Sequence, residues 1–423
     1  METRLLRTLR RMSVGALAVS VSLPMGFISA SKILLVIVGI AVFWDCQSRP
    51  LRWQTKRPSV NTWIYLACLA ILASGLWTQA PYALMWKSIS RHSTLLLIPL
   101  LYFLVKTKNE AQSALRAYVL GQLFVVTSSW ALFAGVFIPW QTADIGNAGN
   151  RFAVFSSYLD QSIMASLCVA IIWHGRASLA TGWRRHGVIP ACLLSFGCVF
   201  FLLPGRTGQL IGLAMLSLWV MWRLPVRVRL AALSAPVVLM AVLLVFSKPV
   251  HDRFDASWTE ARAYSQGDTS PTSVGFRLEA WRSALLSIRE HPFAGTGAGS
   301  WGRQYDAIQS AAGRPNENAT DGNPHQEFLL WGVELGLSGI VLFMGILASI
   351  FQLSQRMHIA ERRATQSALL ATVIACLFNC ALYDALIGDY LCVTLALCLA
   401  AGLKPSAEEE AENMRAAETP RHA

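Results

Sequence analysis

Charge is scarce in this sequence. Asp, Glu, Lys and Arg make up 14% of the 423 residues, against 54% hydrophobic, which leaves too little polar surface to cover a soluble fold. The bilayer is the implied solvent. Cysteine is absent from the longest polar stretch: the nine cysteines, at 46, 68, 168, 192, 198, 376, 380, 392 and 398, fall in or beside apolar segments. Neither a disulfide framework nor a thiolate metal site is expected. Nor does the chain contain a Gly-x4-Gly-Lys-Ser/Thr phosphate loop, a His-Glu-x2-His zinc pair or a Gly-x-Ser-x-Gly elbow. ATP hydrolysis, zinc proteolysis and serine hydrolysis lose support. The early loops that face outward carry no acidic pair to hold a divalent cation, so metal-independent chemistry without a cofactor is expected.

What the chain does have is a repeated apolar run of the length that crosses a bilayer. Spans are read near 12–29, 32–45, 61–79, 93–105, 117–138, 161–174, 187–203, 209–222, 230–247, 326–352, 365–383 and 387–402. The net charge of +12 is spread between them, not gathered into a stripe with interleaved aromatics, so no nucleic-acid partner is implied. Segments 1–11, 46–60, 106–116, 175–186, 223–229 and 353–364 hold twenty Lys/Arg, whereas the short loops of the other side hold Lys32, Lys87, Arg91, Arg151 and Arg206. Cytoplasmic loops carry the excess of basic residues, which puts both termini in the cytoplasm. Arg4, Arg7, Arg10 and Arg11 ahead of an apolar run can pass for a signal peptide. A second apolar run follows at once, and a retained first span is expected.

The fold class is therefore an all-α integral membrane protein with about 12 transmembrane helices and one large outer loop between spans 9 and 10. In outline, 1–247 carries spans 1–9, 248–325 is the loop, 326–402 carries spans 10–12, and 403–423 is a cytoplasmic tail expected to be disordered. Eight basic residues in the loop are offset by nine acids, so an anion there must be met by particular arginines. Within it, 276–290 places Phe276, Ala280, Leu285 and Ile288 at helical spacing, predicting an amphipathic helix lying on the membrane or the bundle. The glycine-rich turn HPFAGTGAGSW follows at 291–301.

A guanidinium near membrane depth is costly unless it meets an anion or a structural partner. Arg206, in the short outer turn PGRTG, is the first candidate. Arg151 in GNAGNRF, and Lys87 with Arg91, follow; each can equally snorkel to phospholipid phosphates. Arg277 and Arg282 lie on the loop helix, where pairing with Glu279 is the plainer alternative. His325, in DGNPHQEFLLWG, ends the large loop. Asn323 is expected to cap a helix starting at Pro324, which puts His325 in the first turn, where the helix N-terminus disfavours imidazolium. A neutral imidazole there can accept a proton from a hydroxyl. Gln326 and Glu327 adjoin it, placed to orient it or to bind substrate hydroxyls.

With GRTG at 205–208, RLEAW followed by EHPFAGTGAGSW at 277–301, and PHQEFLLWGVELGLSG at 324–339, the chain resembles the bacterial O-antigen ligase and polymerase superfamily of polytopic glycosyltransferases. The resemblance covers about 200–340; the other spans match only as generic apolar helices. It implies an inner-membrane enzyme with its active site on the periplasmic face and a donor glycan on undecaprenyl diphosphate. In the ligase branch the acceptor is a sugar hydroxyl of lipid A–core, completing lipopolysaccharide. The family's loop arginine corresponds to Arg277, its histidine to His325 and the arginine of its short outer turn to Arg206. The residue after the histidine is often Asn or Ser in the family and is Gln326 here. The resemblance thus implies that Arg206, Arg277 and Arg151 hold the diphosphate while His325 deprotonates the attacking hydroxyl, with inversion. The polymerase branch more often has two large outer loops, and protein O-oligosaccharyltransferases often carry a sizeable part after the last span; one loop and a short tail favour the ligase. From another class, a lipid-glycan flippase or transporter should show midplane ionisable groups or paired broken helices. The acids within the spans, Asp45, Glu327, Glu334 and Asp389, all lie towards span ends, with Asp384 just outside one.

Overall fold

The computed structural model describes residues 3–47, 59–179, 186–228, 238, 241, 248–266, 272–313 and 322–406. Among these, all regular structure is helical: α1 Arg4–Ser20, α2 Met25–Gln47, α3 Ser59–Ser74, α4 Tyr82–His92, α5 Leu97–Leu104, α6 Lys108–Phe133, α7 Tyr158–Leu179, α8 Val188–Gly197, α9 Arg206–Arg223, α10 Lys248–Ser265, α11 Ser273–Glu290, α12 Trp301–Ala311, α13 Glu327–Ser354, α14 Ile359–Phe378 and α15 Ala385–Leu403. By length and composition, α2 (over Met25–Asp45), α13 and α15 can each cross a bilayer unaided. Apart from residues 238 and 241, the span expected at 230–247 lies outside the described residues, as does the tail beyond 406.

Helix α15 is the axis of the bundle. Its residues from Leu386 to Ala401 are buried on every side, which is what a helix hydrophobic all round requires, and it packs against α5, α6 and α14. Around it α3 lies along α13, α7 packs between α9 and α14, and α1 packs against α2 and α6. Many helices leave large apolar side chains exposed, among them Ile33, Ile37 and Phe43 on α2 and Leu69 and Leu72 on α3. Such surface suits a lipid environment and not water.

Two expectations are corrected at the start of the chain. A turn at 21–24 separates α1 from α2, so 12–29 is not one helix. Lys32 is not in an outer loop but inside α2, with its ammonium 2.8 Å from the buried Asp389 carboxylate of α15. A buried carboxylate needs a partner, and that pairing draws the lysine into the helix.

The loop helix exists as α11, starting three residues earlier than its periodicity suggested because the Thr272 hydroxyl caps it through Gly275 N–H. It lies on the bundle, against α13. Ala280, Ala284 and Ile288 form its inner face with Trp301, Tyr305, Leu330 and Val333, whereas Leu285 is exposed. The 291–300 turn then plugs into a break in α13 at Gly336, whose φ is 67° and ψ −156°. Leu337 N–H, freed by the break, donates to Pro292 O at 2.7 Å.

Candidate active site

Helices α7, α9, α13 and α15 all begin at one end of the bundle. Asn379 Nδ2 donates to Thr207 Oγ1 at 3.3 Å, joining the end of α14 to the first turn of α9. The Glu327 carboxylate accepts Leu382 N–H at 3.0 Å and Tyr383 N–H at 3.3 Å, joining the start of α13 to the α14–α15 connection. Asp160 of α7 and Asp384, which caps α15, are near enough to repel. Four helix N-termini meet on one face, where their dipoles favour negative charge; Asp160, Glu327 and Asp384 already supply carboxylates at three of them.

Arg206 is the first residue of α9. Its approach to α7 depends on glycine: a Cβ on Gly205 or Gly208 would overlap the Ser162 hydroxyl, and Ser166 Oγ donates to Gly208 O at 2.7 Å. A cation at a helix N-terminus opposes the dipole, which an anionic ligand would reverse. Across from it, Arg277 of α11 is half-buried. Burial and then the charge of Arg206 push the Arg277 guanidinium below its ordinary range, while Tyr158 at the start of α7 acts the other way. Arg206 and Tyr158 therefore both lie within electrostatic reach of Arg277.

His325 is the third member. Among the described residues it is the one non-glycine with positive φ, 52°, a strained conformation that costs about 1–2 kcal/mol and persists only where its surroundings hold it. Its N–H donates to Asn323 Oδ1 at 2.9 Å, and its ring meets Phe276 edge-to-face at 5.9 Å. Phe276 in turn lies 6.2 Å from Tyr305. Burial, and after it the Arg277 charge, lower the His325 pKa and so favour the neutral imidazole.

The neutral state agrees with expectation, but its cause differs. His325 is not in the first turn of the helix: α13 starts at Glu327, and its cap is Gln326, whose side-chain oxygen accepts Leu329 N–H at 2.6 Å. Asn323 is spent on turning the chain, not on capping. The capping occupies the side-chain oxygen of Gln326. Glu327 points inward, buried, and takes Trp331 Nε1–H at 3.2 Å in addition to its two backbone donors, so it does not orient His325.

The remaining basic candidates stand apart. Arg151 is exposed on the 134–157 loop with its guanidinium 5.2 Å from the Phe152 ring centre; that loop is tied to the site by Asn150 Oδ1, which accepts Tyr158 N–H at 2.8 Å. Arg282 is exposed and lies against the Tyr264 hydroxyl, itself bonded to Glu279. Arg91 lies beside Tyr383 and Asp389, and Lys87 is half-buried one turn before it on α4. Tyr158 and Tyr305 were not singled out from sequence, and Phe276 was read there only as an apolar position of the loop helix.

Residues 190–344 match the family model described as O-antigen ligase. This segment is similar to the O-antigen ligase family. It runs from α8 into the second half of α13 and holds Arg206, Arg277 and His325. The chain is also similar to an uncharacterized protein of Haemophilus influenzae, 29% identical over 107 residues, which is 24% of this chain and 26% of that protein. The match thus spans about a quarter of the relative's length.

Proposed function

We propose that this protein is an O-antigen ligase of the bacterial inner membrane, with about twelve spans, cytoplasmic termini and its site on the periplasmic face. It transfers a glycan from undecaprenyl diphosphate to a sugar hydroxyl of lipid A–core. One observation carries the reading: three polar groups from separate parts of the segment that matches the O-antigen ligase family model, Arg206, Arg277 and His325, are electrostatically linked at the end of the bundle where four helices begin.

The chemistry needs little more. Lipid diphosphate is a good leaving group, so the protein has to offset the charge that develops on it, hold two lipids in register and remove one proton. Arg206 and Arg277 grip the diphosphate oxygens through their planar forks, with Arg151 as a third contact from the loop that Asn150 ties to Tyr158. His325 accepts the proton of the attacking hydroxyl as the new glycosidic bond forms. The bond from the anomeric carbon to phosphate breaks on the opposite face, giving inversion. No metal takes part in this scheme.

The test is to mix purified protein in detergent with lipid-linked glycan and lipid A–core. Joined product is expected. A lengthened lipid-linked glycan in its place would identify a polymerase, and activity confined to sealed vesicles would identify a transporter. The break in α13 at Gly336 speaks against the latter, because the 291–300 turn fills it.

A further inference from the structure

Roughly 10 Å along α13 from its first residue, Glu334 is fully buried and faces His92 of α4, also buried. Its Oε1 accepts two hydrogen bonds, from Ser88 Oγ at 2.7 Å and from Gly299 N–H at 2.8 Å. Its Oε2 lies 3.6 Å from His92 Nε2, and among the described residues neither atom has a hydrogen-bond partner. The other ring nitrogen fixes the tautomer. His92 Nδ1 is 3.0 Å from Ser88 O, which can only accept, and 3.3 Å from Ser88 Oγ, whose proton is spent on Glu334. Nδ1 therefore carries hydrogen, and Nε2 turns a lone pair towards Glu334. Two lone pairs face to face in a dry interior repel. One proton between them makes a bond once the gap closes by about half an ångström.

We infer that a single proton, resident on Glu334 and donated to His92 Nε2, joins the two as a positioning pair that clamps the glycine turn carrying α11 and its Arg277 against α13 and its His325. The turn is built to be held here. Gly295, Gly297 and Gly299 have φ of 62°, 92° and 75°, and a Cβ on Gly295 would come within 2.5 Å of the Glu334 carbonyl carbon. Thr296 N–H donates to Val333 O and Gly297 N–H to Glu334 O, both at 2.9 Å, and Ala298 N–H to Ser74 Oγ at 3.0 Å. The Glu334 side chain supplies the last bond, to Gly299. Trp331 and Tyr383 close the pair in, their rings 4.8 Å and 5.6 Å from the imidazole. The titratable and charged groups nearby are Glu327 on the same helix, Arg91 on α4, and Cys380 and Tyr383 on the α14–α15 connection.

The positioning role rests on the transfer reaction proposed above; the shared proton does not. In 15N-histidine NMR of the purified protein, with the His92 signal assigned by its loss in His92→Phe, the pair predicts a neutral ring protonated at Nδ1 and accepting at Nε2. An Nε2–H tautomer, or an imidazolium, overturns it. Glu334→Gln keeps every bond, since its oxygen takes the same two donors and its amide donates to Nε2. Glu334→Ala strands Gly299 N–H. Hydrogen exchange across 291–300 should therefore accelerate by about ten-fold or more in Glu334→Ala, and Glu334→Gln should reverse that. Transfer turnover should follow the same order, about ten-fold lost and then restored. Glu334→Gln as impaired as Glu334→Ala overturns the inference. An inactive wild type with the predicted NMR and exchange refutes the transfer reading and upholds the pair.

Discussion

Replacing Arg277 with lysine and with glutamine separates its geometry from its charge. The guanidinium, half-buried between Arg206 and Tyr158, is assigned two charge-assisted bonds to the diphosphate, and a lysine ammonium makes one. Losing one such bond costs about 1.5–3 kcal/mol, so Arg277→Lys should lower kcat/KM by roughly 10- to 150-fold. Arg277→Gln should be at least as impaired, and its pH profile should also move. The His325 base works only when neutral, so activity falls as pH drops through its pKa. That pKa is held below the ordinary value of about 6.5 by burial first and by the Arg277 charge second. Deleting the charge removes one of the two lowering causes, so the pKa rises and the acid limb shifts to higher pH. Lysine keeps the charge and keeps the limb in place. The assay is the initial rate of joined product from purified protein between pH 5 and 9. Equal acid limbs in Arg277→Gln and wild type, or Arg277→Lys within two-fold of wild type, would refute the reasoning.

Three further outcomes are expected. His325→Ala should abolish transfer while leaving the protein in the membrane; normal lipopolysaccharide in cells carrying it removes the proposed base. Gly297→Ala combines left-handed strain of about 1–2 kcal/mol with overlap on Thr78 Cα, worth about 1–3 kcal/mol more. Gly135→Ala, at φ 79° in open space, carries the strain alone. Thermal unfolding in detergent should show the larger loss at 297, and equal losses would mean that the turn is not clamped. Full activity in excess chelator is expected, and magnesium-dependent rescue of a chelated enzyme would contradict it.

The helical character of the chain was legible in its repeated apolar runs, and α11 in the spacing of Ala280 and Ile288. Leu285 was placed on the wrong face because apolarity alone does not separate a bundle contact from a lipid-facing or exposed position. Arg206, Arg277 and His325 stood out in sequence because charge near membrane depth needs a reason. That they share one site was implied by the family resemblance alone and not by any local pattern, since loop closure brings them from 206, 277 and 325. Local cues misled where two side chains competed for one role: Asn323 before Pro324 has the pattern of a cap, yet Gln326 reaches Leu329 N–H and Asn323 turns the chain. Long-range pairs left no local trace. Lys32 has the signature of a loop cation until Asp389, 357 residues away, accepts it, and Glu334 gives no hint of Ser88, 246 residues before it.

The claim on which the rest depends is that two arginines hold one diphosphate. Binding of undecaprenyl diphosphate to wild type, Arg206→Gln, Arg277→Gln and the double variant measures this directly. Each single change should weaken binding by about ten-fold or more. The double should lose less than the product of the two, with a coupling of at least about 0.5 kcal/mol, because the second arginine is worth less once its partner is gone. Losses that multiply, or a single variant that binds as wild type does, would contradict the shared site.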